Sequence, residues 1–279
     1  MPPLKLAFLA MRPWSFPMTA VVSLAAVAYA CWLGYGVSWP LAAVAVAGSI
    51  LLHGMVNLLN DYYDTRLGAD RPGVGTVEYR VHPLVHGVMT PGQVYGLGVG
   101  MGLAAVGIAC TLALLGRPLA VPLALVGFAL AYAYTAPPLK LKYLGLGEPA
   151  VYLAWGVVIP LGVFYVATGA MDPRVLASAA PLGILIANVL LANNIRDADT
   201  DREAGVLTVA ARVGAARAAT LFALPNAAAY AAPPVLVAAG LVPVSAVLPL
   251  VTLPRAVNLS RMLRSSPPPD SDPRAASVA

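Results

Sequence analysis

The chain has 279 residues, of which 59% are hydrophobic and only 10% are charged, with 17 basic and 12 acidic side chains. Soluble proteins usually carry about 25% charged residues. Together with a mean hydropathy of +0.79, this composition excludes a soluble globular domain, a disordered chain and a nucleic-acid-binding protein. Cys31 and Cys110 lie in apolar runs without metal-ligand or disulfide spacing, so we expect buried thiols.

Long stretches without charged residues predict eight membrane-spanning helices, since a span needs about 20 mostly apolar residues. Residues 13–60 contain no Asp, Glu, Lys or Arg and are long enough for two spans with a turn at 34–40. One span each is predicted in 81–116, 118–139, 149–171 and 175–195, and two in 218–254 if the eighth runs past Arg255. Backbone groups in lipid must bond within each segment, so we predict an all-α polytopic helix bundle.

Lys and Arg side chains are distributed very unevenly over the two sides of this bundle. With the N-terminus in the cytoplasm, fifteen of them fall on the cytoplasmic side and only Arg117 and Arg174 on the other. This asymmetry predicts a multi-pass protein of the cell membrane whose N-terminus and acidic loops are cytoplasmic. We expect one transmembrane domain over residues 1–264 and a disordered cytoplasmic tail over 265–279, which is rich in Pro and Ser.

An acidic motif, NLLNDYYDTRLGAD at 57–70, ends the second predicted span. Asn57, Asp61 and Asp64 are spaced i, i+4 and i+7, so they share one face of a helix, and Asn60 lies beside them.

A second acidic motif, NNIRDADTDREAG at 193–205, ends the sixth predicted span. Asn193, Asp197 and Asp201 are spaced i, i+4 and i+8. The pattern Asn-x-x-x-Asp therefore recurs after 136 residues, each time at a cytoplasmic helix end. This repetition indicates two similar halves that face each other across a cavity.

Carboxylates that face one another repel, and a hard divalent cation removes that cost. In proteins, Mg²⁺ is usually held by one or two carboxylates together with substrate phosphates. Two carboxylate walls therefore predict a site for magnesium and a diphosphate, with nearby Arg and Lys binding the remaining phosphate oxygens. The alternative is that the acids merely solvate two helix ends.

The loop YAYTAPPLKLKYLGLGE at 132–148 joins the fourth and fifth spans. Its two prolines end the helix and stiffen an extended segment. Lys140 or Lys142 is a candidate for binding the phosphates of a leaving group, and Tyr134 for facing a cation. The alternative is a positively charged cytoplasmic loop with interfacial aromatic residues.

These three segments, together with MRPWSFP at 11–17, resemble the UbiA-type intramembrane prenyltransferases from Arg12 to about Arg264. The similarity is closest to the menaquinone branch, the 1,4-dihydroxy-2-naphthoate polyprenyltransferases, because TVAARVG follows the second motif. The resemblance implies helices around a cavity open to lipid. It also implies magnesium-dependent transfer of an isoprenyl chain from a polyprenyl diphosphate to an aromatic acceptor.

By motif match, the resemblance implies catalytic roles for Asn57, Asp61, Asp64, Asp197 and Asp201. The four aspartates among them are also the predicted magnesium ligands. The predicted substrate-binding residues are Asn60, Arg71, Arg80, Tyr134, Lys140, Lys142, Asn193 and Asn194.

Three features depart from the family pattern. The family usually has nine helices, and this sequence predicts eight. His82 stands where the family often has Arg, and Val206 where a basic residue is usual, so Arg71, Arg80 and Arg212 gain interest as phosphate-binding groups.

His53, inside the second span, is a site candidate by its position, but we favour a hydrogen bond to another helix.

Two alternatives remain open at the level of function. One is a different acceptor within the same family: a glycerol-phosphate lipid, 4-hydroxybenzoate or haem. The other is a membrane transporter with acidic sites. Transporters place polar residues near the bilayer midplane, whereas the acids here cluster at one surface.

Overall fold

The computed structural model describes residues 3–78 and 80–265, and all the regular structure in this part is helical. The α-helices are α1 (Pro3–Ala10), α2 (Phe16–Trp32), α3 (Trp39–Arg66), α4 (Gly75–Glu78), α5 (Pro91–Leu114), α6 (Ala120–Ala133), α7 (Gly147–Leu153), α8 (Ile159–Thr168), α9 (Val175–Arg196), α10 (Ala198–Glu203), α11 (Val209–Val213), α12 (Ala215–Leu221), α13 (Ala223–Ala238) and α14 (Leu253–Ser265). Short 3-10 segments lie at Pro13–Ser15, Leu141–Leu144 and Val244–Thr252, and a π-helical turn at Ala154–Val158.

Six helical segments of the described chain are long and apolar enough to cross a membrane: Pro13–Trp32, Trp39–Arg66, Pro91–Leu114, Gly147–Thr168, Val175–Arg196 and Ala215–Ala238. A seventh apolar helix, α6, is shorter, and an eighth helical segment runs from Val244 past Arg255 to Ser265. Each of the eight predicted spans is thus helical, and the prediction of an all-α polytopic membrane bundle is confirmed.

The central helix, α3, packs most extensively against α5 and also contacts α2, α6 and α8. Gly98 of α5 permits this close approach, because a Cβ placed there would lie 3.2 Å from the Cβ of Leu58. Lipid supplies no hydrophobic drive for helices to associate, so close packing through small residues stabilises the pair instead. The long α3 therefore forms a fixed wall at the centre of the bundle.

The fifth span contains a π-helical turn between α7 and α8. Pro160 has no N–H to donate to the carbonyl of Gly156, so one hydrogen bond of the α-helical pattern is lost there. Gly156 packs directly on Gly183 of α9, where a Cβ would lie only 2.4 Å from the Gly156 Cα. Trp155, in the same turn, is buried inside the bundle. Such turns within α-helices occur frequently at functional sites.

The prediction of buried thiols is wrong, since Cys31 and Cys110 are both exposed on spanning helices. An apolar run in a membrane protein has a lipid-facing side as well as an interior side, so apolar neighbours do not establish burial. The predicted tail lies outside the described residues from 266 onward, and Ser265 closes α14.

Candidate active site

A cavity of about 800 Å³ runs through the bundle along one face of α3. Its α3 residues recur every three or four positions from Ala45 to Asp64, a distance of about 28 Å along the helix axis. The end near Asp64 is charged, whereas the end near Ala45 is apolar and is walled by α5, α6 and α8. The charged side chains that line it are Arg12, Asp64, Asp70, Arg80, Lys142, Arg196 and Asp197.

Asp64, at the end of α3, is held by the loop that follows α6. The Lys142 ammonium donates to its Oδ2 at 2.6 Å, and the Tyr143 hydroxyl donates to its Oδ1 at 2.8 Å. Burial alone would lower the pKa of Lys142, but the carboxylates of Asp64 and Asp201 outweigh it and hold that pKa well above its ordinary value. Lys142 therefore stays positively charged beside the cavity.

The two lysines of this loop lie in different places. The backbone N–H of Lys142 donates to the Tyr134 carbonyl at 2.9 Å, and both of these residues line the cavity. Lys140 adopts a left-handed backbone conformation, and its ammonium lies 5.4 Å from the centre of the Tyr143 ring. Of the two predicted phosphate-binding lysines, Lys142 is thus the one in the cavity wall.

Asp61 is fully buried and does not line the cavity. Arg80 binds both of its oxygens, at 2.6 and 3.0 Å, and Arg12 binds Oδ1 as well. Both guanidinium groups belong to residues that do line the cavity. The Asp61 carboxylate therefore orients two cations toward the site instead of facing the site itself.

His82 joins Asp61 and Asp70 in a buried group whose potential ligand atoms lie within 4.8 Å of one another. The backbone N–H groups of Leu84 and Val85 donate to His82 Nδ1, each at 3.2 Å. With Nδ1 accepting, the imidazole proton is on Nε2 and is donated to Asp70 Oδ2 at 3.0 Å. His82 thus fixes Asp70 in the cavity wall.

The second wall begins with Asp197 at the end of α9. The Arg196 guanidinium binds its carboxylate and also donates to Asn193 Oδ1 at 3.2 Å. The Thr76 hydroxyl of α4 donates to Asp197 Oδ2 at 3.3 Å. Because α4 follows the first acidic motif, this contact joins the two walls. Asn194, which also lines the cavity, donates to Glu148 Oε1 at 2.9 Å.

Asp201 lies behind this wall, buried, and accepts a long hydrogen bond of 3.4 Å from Thr208. Burial raises the pKa of its carboxyl to about 7; the Lys142 ammonium opposes this shift and the Asp197 carboxylate reinforces it. Val206 nearby is fully buried in a small apolar cluster with Tyr143. A basic residue would not fit that environment, which accounts for this departure from the family pattern.

Arg71 and Arg212 lie outside the cavity. The Arg71 guanidinium bonds to the Glu203 carboxylate at 3.1 Å on the surface. Arg212 is exposed and donates to the Leu144 carbonyl at 3.0 Å, which ties down the loop after α6. Neither guanidinium reaches the charged end of the cavity.

The cavity brings together nine of the thirteen predicted site residues: Asn57, Asn60, Asp64, Arg80, Tyr134, Lys142, Asn193, Asn194 and Asp197. Four lie outside its wall: Asp61, Arg71, Lys140 and Asp201. The structure also places Arg12, Thr76 and Arg196 in the wall, for which no site role is predicted from the sequence. Arg12 and Arg196 belong to the MRPWSFP and NNIRDADTDREAG motifs, whereas nothing in the sequence marks Thr76.

Comparisons with known proteins agree with this architecture. The model of the UbiA prenyltransferase family matches residues 20–277. The 1,4-dihydroxy-2-naphthoate octaprenyltransferase of Mycobacterium tuberculosis is 35% identical over 215 residues, which cover 76% of this chain and 70% of that protein. Human UbiA prenyltransferase domain-containing protein 1 is 32% identical over 268 residues, covering 92% of this chain and 75% of that one.

Among solved structures, a UbiA homolog from Archaeoglobus fulgidus bound to DMAPP and Mg²⁺ has the same fold, with a TM-score of 0.68 at 14% identity. The alignment covers 98% of this chain and 93% of the other. The family match also sets aside the transporter alternative. This chain belongs to the UbiA prenyltransferase family and is a multi-pass membrane prenyltransferase, a transferase of alkyl groups.

Proposed function

We propose that the protein transfers an isoprenyl chain from a polyprenyl diphosphate to 1,4-dihydroxy-2-naphthoate, as a step of menaquinone biosynthesis. The observation that carries the donor assignment is the division of the cavity into a charged end and an apolar end. A polyprenyl diphosphate likewise has a charged diphosphate at one end and an apolar isoprenyl chain at the other. The acceptor assignment is supported by the second motif and by the similarity to the M. tuberculosis 1,4-dihydroxy-2-naphthoate octaprenyltransferase.

The residues at the charged end fit magnesium. Carboxylate and amide oxygens are the ligands that this cation prefers, and Asn60, Asp64, Asn193 and Asp197 present them from opposite walls. We propose that these four would hold Mg²⁺, with Asp201 close behind as a further carboxylate. When bound, the metal would neutralise charge on the diphosphate and make it a better leaving group.

Basic side chains of the protein would stabilise the same diphosphate. As the carbon–oxygen bond of an allylic diphosphate lengthens, negative charge grows on the departing diphosphate. Lys142, Arg80 and Arg196 are fixed beside it by their own carboxylate partners. Preorganised charges in a site from which water is excluded stabilise such developing charge most effectively.

The apolar half of the cavity would protect the isoprenyl cation that is left when the diphosphate departs. Loss of diphosphate leaves an allylic cation, which water would destroy, and an apolar enclosure keeps water away. A ring carbon of the acceptor then forms the new carbon–carbon bond. With dihydroxynaphthoate, the acceptor carboxylate leaves as CO₂ and the ring regains its aromaticity.

A competition assay tests the acceptor. Purified protein receives radiolabelled geranylgeranyl diphosphate, Mg²⁺ and equal concentrations of dihydroxynaphthoate, 4-hydroxybenzoate and a glycerol-phosphate lipid. The fused second ring buries more apolar area, worth about 1–2 kcal/mol, so we expect dihydroxynaphthoate to be preferred over 4-hydroxybenzoate by roughly tenfold to thirtyfold. Equal rates, or preference for the lipid, would contradict the assignment.

We also propose that the charged end of the cavity faces the cytoplasm. Arg117 contacts the end of α8 at the opposite end of the bundle, where its Nε donates to the Val166 carbonyl at 2.9 Å. The positive-inside distribution of Lys and Arg supports this orientation. A C-terminal fusion should be fluorescent with green fluorescent protein and inactive with alkaline phosphatase. The opposite result would reverse the topology.

A further inference from the structure

A second group of polar side chains lies in the middle of the cavity, away from the carboxylates. We call it the polar belt; it consists of Ser15, Thr19, His53, Asn57 and Trp155. Ser15, His53, Asn57 and Trp155 line the cavity, and Thr19 is fully buried behind them. An unpaired polar group inside a membrane span is costly, so each polar atom of the belt needs a hydrogen-bond partner.

The hydrogen bonds of the belt have definite directions. The Ser15 hydroxyl gives its proton to the Arg12 carbonyl at 2.7 Å, so toward His53 Nε2, 3.1 Å away, it acts as acceptor. The proton of the imidazole is therefore on Nε2, and Nδ1 accepts from the Thr19 hydroxyl at 2.8 Å. Thr19 in turn accepts from Trp155 Nε1 at 3.0 Å. His53 is thus a neutral imidazole, hydrogen-bonded to α2 as the sequence suggested.

The belt is built for an aromatic ligand rather than for phosphate. The ring of His53 meets the rings of Phe16 and Trp155 edge to face, with centroids 5.5 and 5.0 Å apart. His53 lies about 16 Å along α3 from Asp64, beyond the charged residues of the same helix face. Neutral hydrogen-bonding groups beside aromatic edges suit a phenolic ring, because such rings favour edge-to-face or offset contacts.

We propose that the polar belt binds the hydroxyl-bearing ring of the aromatic acceptor, with the Nε2–H of His53 donating a hydrogen bond to its hydroxyl. Nε2 is the ring nitrogen that faces Ser15 in the cavity wall, whereas Nδ1 stays paired with the buried Thr19 behind that wall. Thr19 thereby holds the imidazole in the tautomer that donates toward the cavity. Trp155 contributes a ring contact.

This inference rests on the proposed function, and its test separates the two. Prenyl transfer is measured with geranylgeranyl diphosphate and dihydroxynaphthoate, each titrated at saturating amounts of the other. We expect His53→Phe and Trp155→Leu, on separate helices, each to raise the acceptor KM at least tenfold and to leave the donor KM within twofold.

A structural role would give a different pattern. If the belt only held α2 against α3, then His53→Phe and Trp155→Leu would lower the melting temperature and leave the acceptor KM unchanged. Ser23→Ala is the matched control, since Ser23 is fully buried on α2, one turn after Thr19, and does not line the cavity. We expect it to match the wild type in both KM values.

Binding gives a readout independent of turnover. Quenching of tryptophan fluorescence by 1-hydroxy-2-naphthoate should give a Kd at least tenfold higher in His53→Phe than in wild type and Ser23→Ala. An unchanged Kd, with an unchanged acceptor KM, would overturn the belt while leaving the proposed function intact. Absence of naphthoate turnover in the wild type, by contrast, would overturn the proposed function.

Discussion

The Lys142 ammonium lies 2.6 Å from Asp64 Oδ2, so a cation from the loop after α6 is fixed directly on the first acidic motif. The two residues are 78 positions apart, and only the fold brings them together. The pairing keeps the positive charge of Lys142 beside the cavity. There the ammonium can donate hydrogen bonds to an incoming diphosphate as well as to Asp64.

Replacing Lys142 by Gln should lower kcat at least a hundredfold and raise the donor KM, because the variant loses a positive charge that stabilises the departing diphosphate. Lys140→Gln is the control from the same loop, since its ammonium lies over Tyr143 outside the cavity. We expect that variant to stay within about threefold of wild type. Steady-state kinetics with both variants decide the matter, and a larger loss in Lys140→Gln would reverse the assignment.

The second motif allows a similarly matched pair. Asp197→Asn should reduce transfer on the order of a thousandfold, because one wall of the site loses a charge worth several kcal/mol to the transition state. Asp199 lies two residues away but is exposed, and its carboxylate pairs with Arg202 at 3.1 Å. Asp199→Asn should therefore be close to wild type. Near-normal activity of Asp197→Asn at saturating Mg²⁺ would refute the two-wall site.

Asp61 and Asp64 should differ in their response to magnesium. Asp61→Asn leaves Arg12 and Arg80 without their shared carboxylate, and breaking a buried ion pair costs about 3–5 kcal/mol. We expect its activity to fall at least a hundredfold while the half-saturating Mg²⁺ concentration stays within threefold. Asp64→Asn should raise that concentration at least tenfold.

Magnesium titrations of both variants, with melting temperatures to confirm folding, provide the measurement. If Asp61→Asn raised the half-saturating Mg²⁺ concentration as much as Asp64→Asn does, Asp61 would be a metal ligand, as the motif alone predicts.

The sequence was sufficient for the helix bundle and for the two walls, because charge-free stretches and repeated Asn-x-x-x-Asp spacing are local properties of the chain. It did not separate Asp61 from Asp64, since both lie on one helical face and only Arg12 and Arg80, from other segments, cover the first. The choice between Lys140 and Lys142 depended likewise on a loop conformation. Thr76 joins the walls through a tertiary contact that no local pattern indicates.

The apolar half of the cavity should limit the length of the donor. We call it the apolar tunnel; between larger Leu, Ile and Val side chains its wall contains Ala45, Ala105, Ala109, Ala120 and Ala124, with Val166 at the far end. These alanines leave room between α3, α5 and α6 that larger side chains would fill. An isoprenyl chain that enters the tunnel gains about 0.8 kcal/mol for each methylene that it buries.

Ala109→Phe should therefore discriminate against long donors. Ala109 is buried on α5 in the tunnel wall, and a phenyl ring there would displace at least two methylenes of a long chain. That loss corresponds to at least tenfold weaker use of octaprenyl diphosphate, while farnesyl diphosphate, which ends before this point, should stay within threefold. Ala104→Phe, on the exposed side of the same helix, is the control and should leave the use of both donors unchanged.

Overpacking costs about 1–3 kcal/mol of stability, so melting temperatures accompany the kinetics. Equal losses with both donors in a folded Ala109→Phe protein would show that long chains leave the cavity before reaching the tunnel.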